Sequence, residues 1–308
     1  MNSSFPPHIR FRLTLLASHL VVALIALVVI GGATRVMEAG LACPDWPLCY
    51  GSFLPGQQMN LKVFLEWFHR LDAFLVGLAI LVQLIAGFIW RSQVPKWLLW
   101  AYVAFTCLVL LQGGLGALTV LKLLPSFVVM SHMALALLLI AGMSGLTQLL
   151  LSQDCLPPPS WWRIMGFGSM IAVFSQSLVG SRMATTWASK NCLENGLACQ
   201  LLDLHRYLAI PASIFVMTFV FTSLFVGGWP RSQWRLLSAV FTLLVSQVML
   251  GAYSVHFRLD EPYLTIAHQL VAALLVALLS ALSFRRPSFS ALNVHPQLQE
   301  PFMEHCHG

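Results

Sequence analysis

The feature that most limits this chain is a series of long apolar runs, at roughly residues 11–30, 61–90, 97–120, 126–151, 161–183, 201–226, 234–255 and 262–284. A run of about 20 apolar residues crosses a bilayer as an α-helix, and in hydrocarbon only helices or closed barrels satisfy their own backbone groups. Strand-type alternation is absent, so the runs read as eight helical spans. With 58% hydrophobic and only 9% charged residues, against about 25% charged in a water-soluble domain, the chain belongs in lipid. The first run follows Arg10 and Arg12 and precedes Gly31, Gly32 and Ala33, the flanks of a signal peptide, but it has the length of a full span and is read as the first helix.

The formal net charge of +6 comes from single, scattered basic residues, which argues against a nucleic-acid partner. There is no Walker loop, dinucleotide glycine fingerprint or Ser-His-Asp arrangement. With the N-terminus inside, basic residues such as Arg10, Arg12, Arg91, Arg231 and Arg285 fall on the inner side. The outer side holds nearly as many, but two of those, Arg70 and Arg206, lie inside spans rather than in loops. The balance favours both termini in the cytoplasm. The two long connections, Thr34 to Asn60 and Ala184 to Gln200, then lie outside, which predicts function near the outer face. Residues 287–308 are polar, carry Pro287, Pro296 and Pro301, and are expected to form a disordered cytoplasmic tail. Its Glu304, His305, Cys306 and His307 are read as incidental.

The chain repeats itself. Glu66 to Leu71 on the second span correspond to Leu202 to Tyr207 on the sixth, and Ser131 to Leu135 on the fourth to Ala267 to Val271 on the eighth, both at an offset of 136. Gln112, Leu115 and Gly116 on the third span match Gln247, Leu250 and Gly251 on the seventh. Such spacing predicts a duplication: a first half, 1–151, and a second, 152–286. Because each half has an even number of spans, the copies share one orientation. The expected fold class is therefore all-α integral membrane, with two four-helix bundles related by a pseudo-twofold axis along the membrane normal.

The repeat carries histidines. His69, His132, His205 and His268 lie near the outer ends of their spans, at similar depth, and an imidazole inside a membrane span is a functional candidate by default. Two imidazoles on facing helices of a four-helix bundle can ligate a haem iron from both sides. The spacing pairs His69 with His132 and His205 with His268. A lone intramembrane histidine more often serves as packing glue, the reading given to His19 on the first span and to His256 in an outer loop, which have no counterparts. Arg70 and Arg206 each follow a ligand candidate and suit the two propionates of a haem, with snorkelling to lipid headgroups as the competing role.

The duplication breaks at Glu66, which becomes Leu202 in the second half. It precedes His69 by three residues and so shares its helix face. A buried carboxylate can act as a base or stabilise developing positive charge, so the first half reads as the reactive site and the second as a permanent cofactor site. Cys43 and Cys49 share the first long connection, and Cys192 and Cys199 the second. Outside the cytoplasm such pairs form disulfides, whereas zinc would need four ligands from separate loops. Two local disulfides are expected, each clamping a lid over its pocket as a structural staple, with redox activity of the first as the competing role. Glu38, Gly40, Leu41, Ala42 and Cys43 are echoed by Glu194, Gly196, Leu197, Ala198 and Cys199. Cys107, Cys155 and Cys306 have no evident partner.

Taken together, the chain resembles haem A synthase of the cysteine-bearing bacterial type. The marks are Gly31, Gly32, Thr34 and Arg35, leading through Gly40 and Leu41 to Cys43, Pro44, Asp45, Trp46, Pro47, Leu48 and Cys49, then Glu66, His69, Arg70 and the later histidines. The resemblance implies oxidation of a methyl group of haem O to a formyl group, through hydroxymethyl and gem-diol intermediates, to supply terminal oxidases with haem A. On that reading His69 and His132 hold the substrate haem, Glu66 assists the chemistry, and His205 and His268 ligate haem B as cofactor. The location would be the cell membrane, with functional links to haem O synthase and terminal oxidase assembly, an unidentified electron partner and room for self-association. The competing class is a di-haem membrane cytochrome that only transfers electrons.

Overall fold

The computed structural model describes residues 5–152, 157–186, 188–196 and 199–287. Its regular structure is helical: α1 (Pro7–Val36), α2 (Leu61–Ile89), α3 (Lys96–Leu121), α4 (Ser126–Leu151), α5 (Ser160–Thr185), α6 (Ala188–Asn195), α7 (Cys199–Val226), α8 (Gly228–Ser232), α9 (Trp234–His256) and α10 (Pro262–Phe284). All but α6 and α8 are long and apolar enough to cross a membrane. The chain is an all-α, eight-span, multi-pass membrane protein. Its outward faces carry residues such as Phe74, Leu110, Ile164 and Phe225, each more than two thirds exposed; water would not tolerate that surface, and lipid requires it.

The helix limits follow from local chemistry. Proline stands at or beside the start of α1, α3, α4, α5 and α10, where its missing N–H forfeits no bond. The Asn60 side chain caps α2 by accepting from the amides of Lys62 and Val63 at 3.0 and 3.1 Å. α1 overruns the apolar run at both ends, and it stops only where Glu38 takes a left-handed φ of 55°. α3 and α9 end the same way, at Leu123 and Leu124 and at Arg258 and Leu259. In each the amide five residues on closes the last turn, Ala39 on Thr34, Leu124 on Thr119 and Leu259 on Ser254 at 2.7 to 2.9 Å. His256, expected in a loop, is the last residue of α9, because this closing turn carries the helix beyond the apolar run. Residues 288–308, Cys155 and Cys306 lie outside the described residues, and with them the expectation for the tail.

The long helices pack as two rings. α1 packs on α2 and α4, with α3 between those two; α5 packs on α7 and α10, with α9 between them. The rings meet along α4 and α10, flanked by α1 against α10 and α5 against α4. The two helices of this seam are deeply buried, with Leu137, Ile140 and Met143 of α4 and Leu275, Val276 and Leu279 of α10 almost without exposure. Across it Ser144 Oγ donates to the Ala277 carbonyl at 2.7 Å, and Ser280 Oγ donates to the Ala141 carbonyl at 2.6 Å. Both the serines and the alanines are separated by the repeat spacing, so each half gives the other the same bond. Interhelical bonds of this kind contribute about 0.6 kcal/mol. Ser144→Ala and Ser280→Ala should each lower stability by about that amount, to similar extents, as measured by denaturant titration of the detergent-solubilised protein.

Candidate functional site

The four histidines sit at one level. His69 lies eight residues after Leu61, and His132, His205 and His268 six after Ser126, Cys199 and Pro262, which places all four about 9 to 12 Å inside the same face of the bundle. His205 and His268 face each other with ring centroids 6.5 Å apart. Two metal–imidazole bonds of about 2 Å, with two nitrogen-to-centroid distances of about 1.1 Å, give roughly 6.3 Å, so this pair can share one iron. His69 and His132 lie close enough to interact electrostatically.

Each ring rests on a glycine of the neighbouring helix. A Cβ at Gly31 would come within 2.8 Å of the His69 ring, one at Gly116 within 3.3 Å of His132, one at Gly180 within 3.1 Å of His205 and one at Gly251 within 3.0 Å of His268. Glutamines orient the rings. The Gln247 amide donates to His268 Nε2 at 3.1 Å, while His268 Nδ1 donates to the Gln247 carbonyl at 3.0 Å. That pattern fixes the tautomer whose Nε2 carries the lone pair, the usual state of a metal-ligating histidine. Gln112 stands 3.4 Å from His132 Nε2, and Gln176 3.1 Å from His205 Nδ1.

Among the described residues, eight buried side-chain polar atoms lack a hydrogen-bond partner, and five of them belong to His69, His132, Gln112, Gln176 and Gln247. Each such atom costs about 1 to 3 kcal/mol, so their concentration around the two histidine couples marks these places as built for a ligand. A planar group gripped from both faces by imidazole, with amides at its edge, fits this donor set.

The two sites differ above the rings. Glu66, only 3% exposed, accepts from the Cys43 amide at 2.8 Å and pairs with Arg70 at 2.5 Å. Arg70 also donates through Nη1 to the carbonyls of Asp45 and Leu48, each at 2.6 Å, and through Nη2 to that of Cys43 at 3.4 Å. The connection 37–60 is thereby folded down onto α2, with Cys43 bonded to Cys49. Arg70, expected to meet a propionate, thus has four of its five N–H groups engaged by the chain itself. In the second half Leu202 is equally buried, Arg206 makes a half-exposed pair with Asp203 at 3.7 Å, and Cys192 of α6 is bonded to Cys199 at the start of α7. His19 only bonds the Leu15 carbonyl of its own helix, and Cys107 is free and exposed.

Sequence reasoning noted Gln112, Gly116, Gln247 and Gly251 as repeat markers without their role, and it missed Gln176 and Gly180. The signal exists: Gly180 and Gly31 are 149 apart rather than 136, because the first connection is longer than the second. Gly251→Ala and Gly180→Ala should displace the rings of the second couple and Gly31→Ala that of His69. Haem content per chain by the pyridine haemochrome assay, in the presence of added haem, should fall in each.

Within the first loop the Asp45 carboxylate accepts from the amides of Tyr50 at 2.6 Å and Gly51 at 2.8 Å. The Gly51 amide, with further help from the Tyr50 amide and the Arg70 charge, holds this carboxyl below its ordinary value of 3.8. The lowered value means the contact is complete above the ordinary range and is lost as pH falls through the lowered value. Acid titration of Trp46 fluorescence should show a transition with a midpoint below 3.8 that Asp45→Asn abolishes.

Comparison with known proteins places the chain. The profile of the family described as cytochrome oxidase assembly protein matches residues 13–201, more than half of the chain. A haem A synthase of Shewanella oneidensis is 31% identical over 218 residues, covering 63% of this chain and 61% of that protein, so this chain spans just under two thirds of that relative's length. Haem A synthases of Sphingopyxis alaskensis and Geobacillus thermodenitrificans are 25% and 24% identical over 88% and 89% of the chain, and over 91% and 93% of their own lengths, alignments long enough to include both histidine couples. With eight spans and disulfide-bonded cysteines in both long connections, the chain belongs to the cytochrome oxidase assembly protein family, that of the haem A synthases.

Proposed function

We propose that this protein oxidises a methyl group of haem O to a formyl group, supplying haem A for terminal oxidases. The observation that carries this reading is the asymmetry between two otherwise matched couples: a buried carboxylate stands one turn before His69, and a buried leucine stands at the same place before His205. A protein that only passed electrons would have no use for that difference.

In this reading His69 and His132 hold the substrate haem in the first half, 1–151, and His205 and His268 hold haem B in the second, 152–286. Haem B, when bound, supplies one-electron transfer. Written at the level of water, each oxidation round adds the oxygen of one water to the carbon, releases two protons and passes two electrons to the external electron partner; the first gives the alcohol and the second a gem-diol, which sheds water to leave the formyl group. Glu66 is the residue that acts on the reacting carbon's surroundings, taking a proton from a hydroxyl or stabilising positive charge. Cys43 and Arg70 hold its carboxylate in place, and the disulfide-closed loop above keeps bulk water away. Arg206 is read as the partner of a propionate of haem B, while Arg70 is committed to Glu66 and the loop carbonyls. Supporting the pseudo-twofold relation of the halves are the reciprocal Ser144 and Ser280 bonds. The location that follows is the cell membrane, both termini cytoplasmic and both haem sites toward the outer face, with haem O synthase and oxidase assembly as functional neighbours.

The test is Glu66→Ala in the full chain, expressed with a supply of haem O. Acid extraction and mass analysis should show haem B retained, with haem O or its hydroxymethyl derivative accumulating in place of haem A. A normal yield of haem A would discard the role of Glu66, and wild-type protein carrying only unfarnesylated haem would discard the enzyme in favour of an electron-transferring cytochrome.

A further inference from the structure

We propose that Arg35 is the residue that binds a propionate of the haem held between His69 and His132, an assignment that rests on the reading of that pocket given above. Arg35 lies in the last turn of α1, four residues after Gly31, the glycine on which the His69 ring rests. Four residues along a helix return to nearly the same face, about 6 Å further along the axis. Arg35 therefore stands on the histidine side of α1, one turn closer to the membrane surface. The turn is tied to α2 by Thr34, whose Oγ1 bonds the Ile30 carbonyl at 2.8 Å and reaches the Leu65 carbonyl, one turn before His69, at 3.4 Å.

The guanidinium is partly buried, and among the described residues it has no hydrogen-bond acceptor and no acidic partner. Of the other cations at this end of the first half, Lys122 stands exposed just beyond α3, and Arg70 and Lys62 are engaged. Arg70 is spent on Glu66 and three loop carbonyls, and Lys62 stands 4.0 Å from Glu38. A partly buried guanidinium offers five donors, and none of them is taken up among the described residues. Its planar fork matches a carboxylate bidentately. A porphyrin held between two imidazoles would offer carboxylates from its rim, and Arg35 is the partly buried cation left to take one. In the second half the residue four after Gly180 is Ala184, so this contact would distinguish the substrate pocket from the other site.

The experiment titrates haem O and its propionate dimethyl ester into the purified full chain with the His205 and His268 site already loaded, following the Soret band. Wild type should bind the free acid about tenfold or more tightly than the ester, the scale of a charge-assisted pair. In Arg35→Gln the free acid should weaken to the level of the ester, with ester binding unchanged; Arg35→Lys should retain part of the discrimination. The spectrum of the second haem reports folding in every variant, and if Arg35→Gln loses that spectrum, the acid and ester comparison in Arg35→Lys decides. Equal weakening of acid and ester would mean a structural role and overturn the assignment. Undiminished free-acid binding in Arg35→Gln would overturn it too, leaving a lipid headgroup as the partner. Failure of wild type to bind haem O at all would retire the pocket itself, and this inference with it.

Discussion

Everything in this protein is arranged around imidazole rings placed in a medium that offers them no water. A polar ring in hydrocarbon needs both space and partners. The chain supplies space by setting a glycine opposite each ring, at Gly31, Gly116, Gly180 and Gly251. It supplies partners through Gln112, Gln176 and Gln247. Each glycine lies on the span that precedes its histidine span: the connection is short for Gly116 with His132 and Gly251 with His268, and is one of the two long connections for Gly31 with His69 and Gly180 with His205. The pairing of half-sites then depends on closing four helices into a ring, which is where α1 against α4 and α5 against α10 do their work.

Much of this was legible in the chain. Eight spans can be read because lipid imposes a length and a composition on every helix that crosses it. The histidines can be read because a duplicated chain shows them twice at matched positions. What the pattern could not show depends on segments that fold back on themselves. The Arg70 contacts require the loop around Cys43 and Leu48 to lie over α2, and nothing in local periodicity encodes that. α6 and α8 are too short for a periodic signal, and α6 is polar. Gly31 and Gly180 escaped the repeat because unequal connections shift their register, although their structural role is the same.

The halves differ at several deeply buried positions. Towards the other membrane face, the first half carries Gln83 and Tyr102, both fully buried, with Gln83 Nε2 3.9 Å from Met143 Sδ. At an offset of 136 from Gln83 and Met143 and of 135 from Tyr102, the second half has Phe219, Leu279 and Leu237, also fully buried. Glu66 against Leu202 belongs to the same trend. Polar groups in a membrane interior are expensive, and the first half carries them at positions where the second has apolar residues.

The matched serine bonds across α4 and α10 have an evolutionary corollary. A surface that gives and receives the same contact at the same spacing is self-complementary, the property of a twofold homodimer interface. A single four-helix ancestor bearing this face would already have possessed the means to pair with its twin. Fusion of two such copies would keep that seam while leaving each pocket free to change, the combination seen in the matched serine bonds beside the mismatch of Glu66 and Leu202.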